Sequence, residues 1–255
     1  MYVTAPQMAD LMPDARQLLS DEPEMESTLH YQQLALLVSC LEWHWRERQD
    51  FFIGANLTVW YSHQQLRRRD FRGPDFFLVL DTSPEPRNSW VVWEEGGRYP
   101  DLIIELLSNS TAAIDRADKK SLYQNIFRTP EYFWFSPETL EFQGFRLVDK
   151  TYQPIPPDEQ GHLPSQVLGL RLGVVEGQLR YFETSGTLVP TPTESALHEI
   201  QHAEREREHA EQERARADQE HARAEQERLR AEQANQHAEH LAQRLRELGV
   251  DPDQP

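Results

Sequence analysis

The chain changes character near Ser195. All of its Trp, Tyr, Phe and Lys residues lie before that point, and the remainder is built almost wholly from Ala, Glu, Gln, Arg and His. A packed interior needs large apolar side chains, so only the first part can form a globular core. Over the whole chain the hydrophobic share is 38%, below the roughly 45–50% of an ordinary globular protein, and what is apolar in the last quarter is mostly alanine. The sequence therefore divides into an N-terminal extension at 1–23, a globular domain at 24–185, a Pro/Thr hinge at 186–194, a helix at 195–248 and a short terminus at 249–255.

The tail repeats every seven residues. Alanine recurs at 196, 203, 210, 217, 224, 231 and 238, with Leu245 in the next place. Glu211 precedes Arg214, and Glu225 precedes Arg228, at a spacing that brings opposite charges together on a helix surface. The second seam position reads Ile200, Arg207, Arg214, His221, Arg228, Asn235 and Ala242, whereas a strong coiled coil places apolar residues there. The pattern admits two states, a solvated single helix held by charge pairs and a marginal homodimer aided by Leu229, Leu241, Leu245 and Leu248.

The globular part opens with a helix from Ser27 to Trp45. Leu29, Leu34, Leu37, Val38, Leu41 and Trp45 mark its buried stripe, and Ser27 or Thr28 can cap it. Strand-like runs come next at 51–62, 76–81, 89–95 and 102–108. After the caps offered by SNST (108–111), a helix is expected to about Phe127. A hairpin at 131–136 and 140–149 turns at Pro137 and Glu138, and two shorter strands are expected at 168–175 and 178–183. Strands with one helix before them and one inside the series specify an α+β fold with a mixed sheet.

Several function classes are excluded or disfavoured. The formal net charge is -17, which opposes non-specific binding to nucleic acid, so any such function must rest on a local basic site or a bound cation. No apolar run approaches the ~20 residues that span a bilayer. The N-terminus lacks a basic start followed by an apolar stretch, so a cytoplasmic location is expected. The single cysteine, Cys40, excludes an internal disulfide and a cysteine-clustered zinc site. His30, His44, His63 and His162 are scattered without metal-site spacing, and there is no Gly-rich phosphate loop and no nucleophile elbow.

Chemistry is concentrated in two strands and the segment after them. Asp75 follows Pro74 at the head of FFLVLD, and Glu105 stands in the middle of DLIIELLS. A carboxylate in an apolar strand is costly unless it is paired or bound to a metal. Asp115, Lys119 and Tyr123 recur at four-residue spacing and so share one helix face, while Lys120 is turned about 100° away. Aligned strands could bring Asp75 beside Glu105, and the returning helix could add a lysine. Two carboxylates can hold Mg²⁺ or Mn²⁺ through oxygen, and an ammonium can stabilise the charge of a phosphodiester transition state. A second Pro-Asp at Asp101 sits four residues from Glu105, ~13 Å along the strand, too far for one ion to bridge. Arg67, Arg68, Arg69 and Arg72 precede Asp75 and could meet phosphates, or form a solvated turn.

The ordered set PDFFLVLD (74–81), PDLIIELLSNST (100–111), DRADKKSLY (115–123) and TPEYFWFSP (129–137) resembles the Uma-type restriction endonuclease family of the PD-(D/E)XK nuclease superfamily. The resemblance covers most of 24–185. It implies that Asp75 and Glu105 are metal ligands and Lys119 the catalytic lysine of a Mg²⁺- or Mn²⁺-dependent endodeoxyribonuclease acting on DNA. The superfamily often places its lysine two residues after the second acid, which here is Leu107. Lys119 on the following helix matches the family's substitute. An acid before the first helix, any of Glu22, Glu24 and Glu26, is a further match that stays unassigned. The competing reading is a non-catalytic module of nuclease fold that works through protein–protein contacts of its charged helix.

Overall fold

The computed structural model describes residues 18–20, 27–62, 65, 73–108 and 118–247. It contains two compact units, Met1–Thr193 and Glu194–Pro255.

The first unit begins with α1 (Thr28–His44), whose cap is Ser27: its side-chain oxygen accepts the His30 N–H at 3.2 Å. Six strands then build the main sheet. They are β1 (Phe51–Ala55), β3 (Phe76–Leu80), β5 (Leu102–Leu106), β6 (Glu131–Phe135), β7 (Phe142–Val148) and β8 (Thr151–Pro154), lying side by side in that order. Neighbours are antiparallel except β5 and β6, which run parallel. A parallel pair needs a crossover, and the helical residues 118–122 lie in it, passing into a π-helical turn at Tyr123–Phe127. The mixed α+β sheet expected from the pattern of runs is therefore present. Short β2 (Val59–Trp60) and β4 (Trp90–Val91) form a parallel pair, and β9 (Leu163–Pro164), β10 (Arg171–Val175) and β11 (Gln178–Phe182) form a three-stranded sheet.

Both faces of the main sheet are covered, which explains why its central strands read as unbroken apolar runs. On one face Phe76, Leu78, Leu102, Ile104, Leu106, Phe133 and Phe135 pack with Leu34, Leu37 and Leu41 of α1 and with Leu172 and Leu179 of the smaller sheet. On the other, Phe77, Val79, Ile103, Tyr132, Trp134 and Phe145 pack with Tyr123 and Phe127 of the π-helical turn and with Val59 and Trp90.

The structure corrects the local expectations in several places. Leu29, expected on the buried stripe of α1, is 52% exposed, and the stripe instead carries His30 and Gln33. The Gln33 amide donates to the Leu179 carbonyl at 2.9 Å and accepts the Leu179 N–H at 3.0 Å, standing in for a strand neighbour and tying α1 to β11. The 51–62 run breaks at Asn56, whose left-handed backbone (φ 46°) separates β1 from β2. The 89–95 run yields only β4 before a turn at 92–97. Part of the N-terminal extension is bound: the Ser89 hydroxyl donates to the Leu18 carbonyl at 2.7 Å, and the Thr58 N–H to the Ser20 hydroxyl at 3.1 Å. Within the segment expected as a hinge, Val189 is buried and its N–H reaches the Tyr181 carbonyl at 2.9 Å.

The second unit is formed by α2 (Pro192–Glu247), 56 residues of which none is buried. Its charges are ordered in two ladders that step alternately by three and four residues. One runs Glu204, Arg207, Glu211, Arg214, Asp218, His221, Glu225, Arg228, Glu232, and the other Glu206, His209, Glu213, Arg216, Glu220, Arg223, Glu227, Arg230. Each acid thus has a basic or histidine neighbour one turn before it, one turn after it, or both. The Arg207–Glu211 contact is 3.2 Å and His202–Glu206 is 3.7 Å. Pairs of this kind add ~0.2–0.5 kcal/mol each and weaken with salt. An isolated 192–247 peptide is expected to lose helical ellipticity between low and ~1 M salt, the range over which the screening length falls to ~3 Å. A chain ending at Thr193 is expected to melt cooperatively, because the removed helix holds no buried side chain. Circular dichroism checks both, and an unfolded truncation would contradict the second.

Candidate active site

Glu105 owes its position to strand alternation. Leu102, Ile104 and Leu106 of β5 face α1, so Ile103, Glu105 and Leu107 face the other way, towards Tyr123. Glu105 is 1% exposed. The antiparallel register of β3 on β5 pairs Phe76 with Ile104 and Leu78 with Leu102. Continuing it by one residue sets Asp75 opposite Glu105, where directly paired side chains lie on the same face ~5 Å apart at Cβ. Asp75 also extends the ladder with its side chain, for its Oδ2 accepts the Leu106 N–H at 2.7 Å.

The crossover supplies the remaining groups. Lys119 and Tyr123, four residues apart, both reach Glu105. The Lys119 ammonium donates to Oε2 at 2.9 Å and the Tyr123 hydroxyl to Oε1 at 2.6 Å. The wide π-helical turn begins at Tyr123, a feature often found at functional sites. It closes through the Thr129 N–H on the Tyr123 carbonyl at 3.1 Å, after Arg128 takes a left-handed backbone (φ 54°). Lys120 turns elsewhere, its ammonium 3.4 Å from the centre of the Phe145 ring. From the opposite face of the sheet, His30 of α1 brings Nε2 to 3.9 Å from Asp75 Oδ2, longer than a hydrogen bond.

The electrostatics separate the two acids. Burial pushes the Glu105 carboxyl up, and the adjacent Asp75 carboxylate adds to it, so that against the pull of the Lys119 ammonium and the Tyr123 hydroxyl it is raised to about 8. Burial raises Asp75 as well, but the His30 imidazole, the Lys119 ammonium, Glu105 and the Leu106 N–H outweigh it and hold Asp75 below its ordinary value. Two like charges this close do not both ionise freely. The pair retains a proton into the neutral range, with Asp75 as the ionised partner. Tyr123 is pushed well above the ordinary tyrosine value by burial and by Glu105, so its hydroxyl remains a donor.

Among the other sequence candidates, Asp101 is spent on the sheet, accepting the Leu80 N–H at 2.8 Å. Asp115, Arg67, Arg68, Arg69 and Arg72 lie outside the described residues, as do Glu22, Glu24 and Glu26. His30 was not a candidate in the sequence. The only signal there was a polar residue at a buried helical phase, obscured by the apolar Leu29 beside it. A second buried carboxyl, Glu131 of β6, is fully engaged by Arg146 at 2.9 Å, by the Gln166 N–H at 2.9 Å and by the Ser165 hydroxyl. It locks β6 to β7 and to the 165–167 loop.

Among the described residues, no group of three or more His, Cys, Asp and Glu side chains is arranged to hold a metal ion. The donor chemistry of Asp75 and Glu105 nevertheless suits a hard cation. Mg²⁺ is commonly held by only one or two carboxylates, with water completing its shell, and Asp75 keeps 21% of its side chain open to solvent. The described residues contain no helix long and apolar enough to cross a membrane.

The mixed sheet thus sets Asp75 and Glu105 side by side on adjacent strands, with Lys119 reaching Glu105 from the crossover. The sequence model of the Uma2 family, described as "Putative restriction endonuclease", matches residues 18–180, and the chain belongs to that family. A crystal structure of a "putative nuclease belonging to DUF820" from Anabaena variabilis is similar at 15% identity with a TM-score of 0.41, over 58% of this chain and 76% of that one. No curated protein matches the chain.

The raised Glu105 value carries a sign for stability. The folded chain keeps a proton that the unfolded chain releases, so without metal this group's contribution is full below about 4.5 and is lost as pH rises to about 8. Glu105→Gln cannot titrate. Its melting temperature in chelator is expected to fall less between those pH values than the parent's, and parallel slopes would contradict the assignment.

Proposed function

We propose that the chain is a divalent-metal-dependent endonuclease that hydrolyses phosphodiester bonds of DNA, with Asp75, Glu105 and Lys119 at its centre. The observation that carries this reading is the placement of a buried Glu105 opposite Asp75, with the Lys119 ammonium 2.9 Å from the Glu105 carboxyl. Such an arrangement costs folding energy and is poorly explained by packing. Asp75 and Glu105 would hold Mg²⁺ or Mn²⁺, which when bound polarises a phosphoryl oxygen and lowers the pKa of its water. Glu105 surrenders its proton on taking up this role, leaving a carboxylate that Lys119 and Tyr123 keep in place. Lys119, 18% exposed at its side chain, presents an ammonium to the acids and towards solvent, and stabilises the negative charge that develops at phosphorus oxygens. Because the chain as a whole is acidic, DNA must be met locally. The Arg67–Arg72 stretch just before Asp75 is the basic segment suited to phosphate contact.

A second reading draws on a different feature of the same atoms. Both Glu105 oxygens already have donors, so the cluster also satisfies itself as a closed structural unit. In that case the chain is a nuclease-fold module and the charged helix binds a partner.

Plasmid cleavage with Mg²⁺ or Mn²⁺ separates the two. Lys119→Ala is expected to lower cleavage by ~10²-fold or more, the scale of a lost electrostatic stabiliser, while Lys120→Ala, whose ammonium lies on Phe145, stays within a few-fold. Failure of the parent to cut with any divalent ion would favour the structural reading. Ion affinity should also climb with pH, with about one proton released per ion below about pH 8. Calorimetry in buffers of different ionisation heat measures that proton, and its absence would separate ion binding from Glu105.

A further inference from the structure

A helix face packed against a sheet has no general use for polar side chains, and each one there needs a partner. On α1 the buried face carries two, His30 and Gln33. Gln33 is accounted for by its two hydrogen bonds to Leu179. His30 lies one turn earlier, in the first turn of the helix, with its backbone held by Ser27 and its side chain only 9% exposed. Its Nε2 is directed to Asp75 Oδ2, the same oxygen that takes the Leu106 N–H.

The Leu106 N–H, at 2.7 Å, and the His30 Nε2, at 3.9 Å, approach one oxygen of a candidate metal ligand from different elements. We propose that His30 is a positioning residue for Asp75. With the Leu106 N–H it fixes Oδ2, so that Oδ1 is the oxygen presented to the divalent ion. The 3.9 Å separation is wide for a hydrogen bond, so the proposal requires the imidazole to close on Oδ2 when the ion binds. Outer partners of this kind set the orientation of a ligand, and their loss commonly weakens metal binding by ~10–100-fold. The inference rests on the metal-site reading and adds to it a residue from the far side of the sheet. Since α1 is also tied to β11 through Gln33, the position of Asp75 becomes coupled to the packing of the first helix.

The test is calorimetric titration of Mn²⁺ into the full chain without DNA, for the parent, His30→Leu, His30→Gln and Glu105→Gln. Leucine fills the buried space but cannot donate, whereas the glutamine amide can place a donor near the position of Nε2. The expected result is at least ~10-fold weaker binding for His30→Leu and near-parental affinity for His30→Gln. If His30→Leu fails to fold, His30→Phe provides the same comparison. Parental affinity in the leucine variant would overturn the proposal, and so would equal losses in the leucine and glutamine variants, since the donor would then not matter. A parent that binds no Mn²⁺ would overturn the metal-site reading itself and this inference with it. Binding that survives in the parent and is lost in Glu105→Gln keeps that reading standing whatever the His30 variants show.

Discussion

The site depends on one pairing, Asp75 opposite Glu105 across β3 and β5. It puts two carboxyl groups where the sheet is covered on both faces, and the surrounding groups meet the resulting cost. Lys119 and Tyr123 occupy the two oxygens of Glu105, the Leu106 N–H and His30 converge on Asp75, and a retained proton removes one of the two charges. The parallel β5–β6 pair is part of the same solution. A parallel pair requires a crossover connection, and here that connection brings a lysine and a tyrosine, four residues apart, over the face to which Glu105 points.

Glu131 shows what an ordinary buried acid looks like in this fold. It sits on the next strand, equally inaccessible, but an arginine, backbone N–H groups and a serine hydroxyl satisfy it, and no second carboxyl crowds it. The Arg146 guanidinium sets two N–H groups on one of the Glu131 oxygens, at 3.0 and 2.9 Å. Glu105 instead has one ammonium to share with Asp75. Burial is common to both acids, so burial alone does not distinguish them. What sets Glu105 apart is the neighbouring Asp75 carboxyl, which adds to burial in raising it.

Much of the frame was legible in the sequence, and the reason is periodicity. The apolar runs of β3, β5 and β6 lie in a two-sided core, and the 119/123 spacing fixes a helix face without reference to anything distant. The α+β class and the shared reach of Lys119 and Tyr123 come from these local facts. Register does not. Whether Asp75 meets Glu105 depends on how β3 slides along β5, and a shift of one residue would send the side chain to the opposite face. Asp101 could be set aside by distance alone only because it shares a strand segment with Glu105, where the separation is fixed by the rise per residue. His30 was hidden for a reason related to register. Leu29 beside it took its place at the start of an otherwise correct apolar stripe, and the true face of that first turn becomes readable only where Asp75 meets it.

The boundaries that shifted share a cause as well. Hydrophobic content locates a core but says little about which polar backbone groups a neighbouring segment must satisfy. Leu18 and Ser20 lie in a stretch expected as an extension, yet they bind Ser89 and Thr58 next to the β2–β4 pair. Val189 lies in a stretch expected as a hinge, yet its N–H completes a bond to Tyr181. The long helix is the opposite case. Its opposite charges recur at three- and four-residue spacing and none of its side chains is buried, so nothing in it calls for a core. Whole heptads can be added to or removed from a segment of that kind without changing its pattern of charge, because none of its side chains is buried.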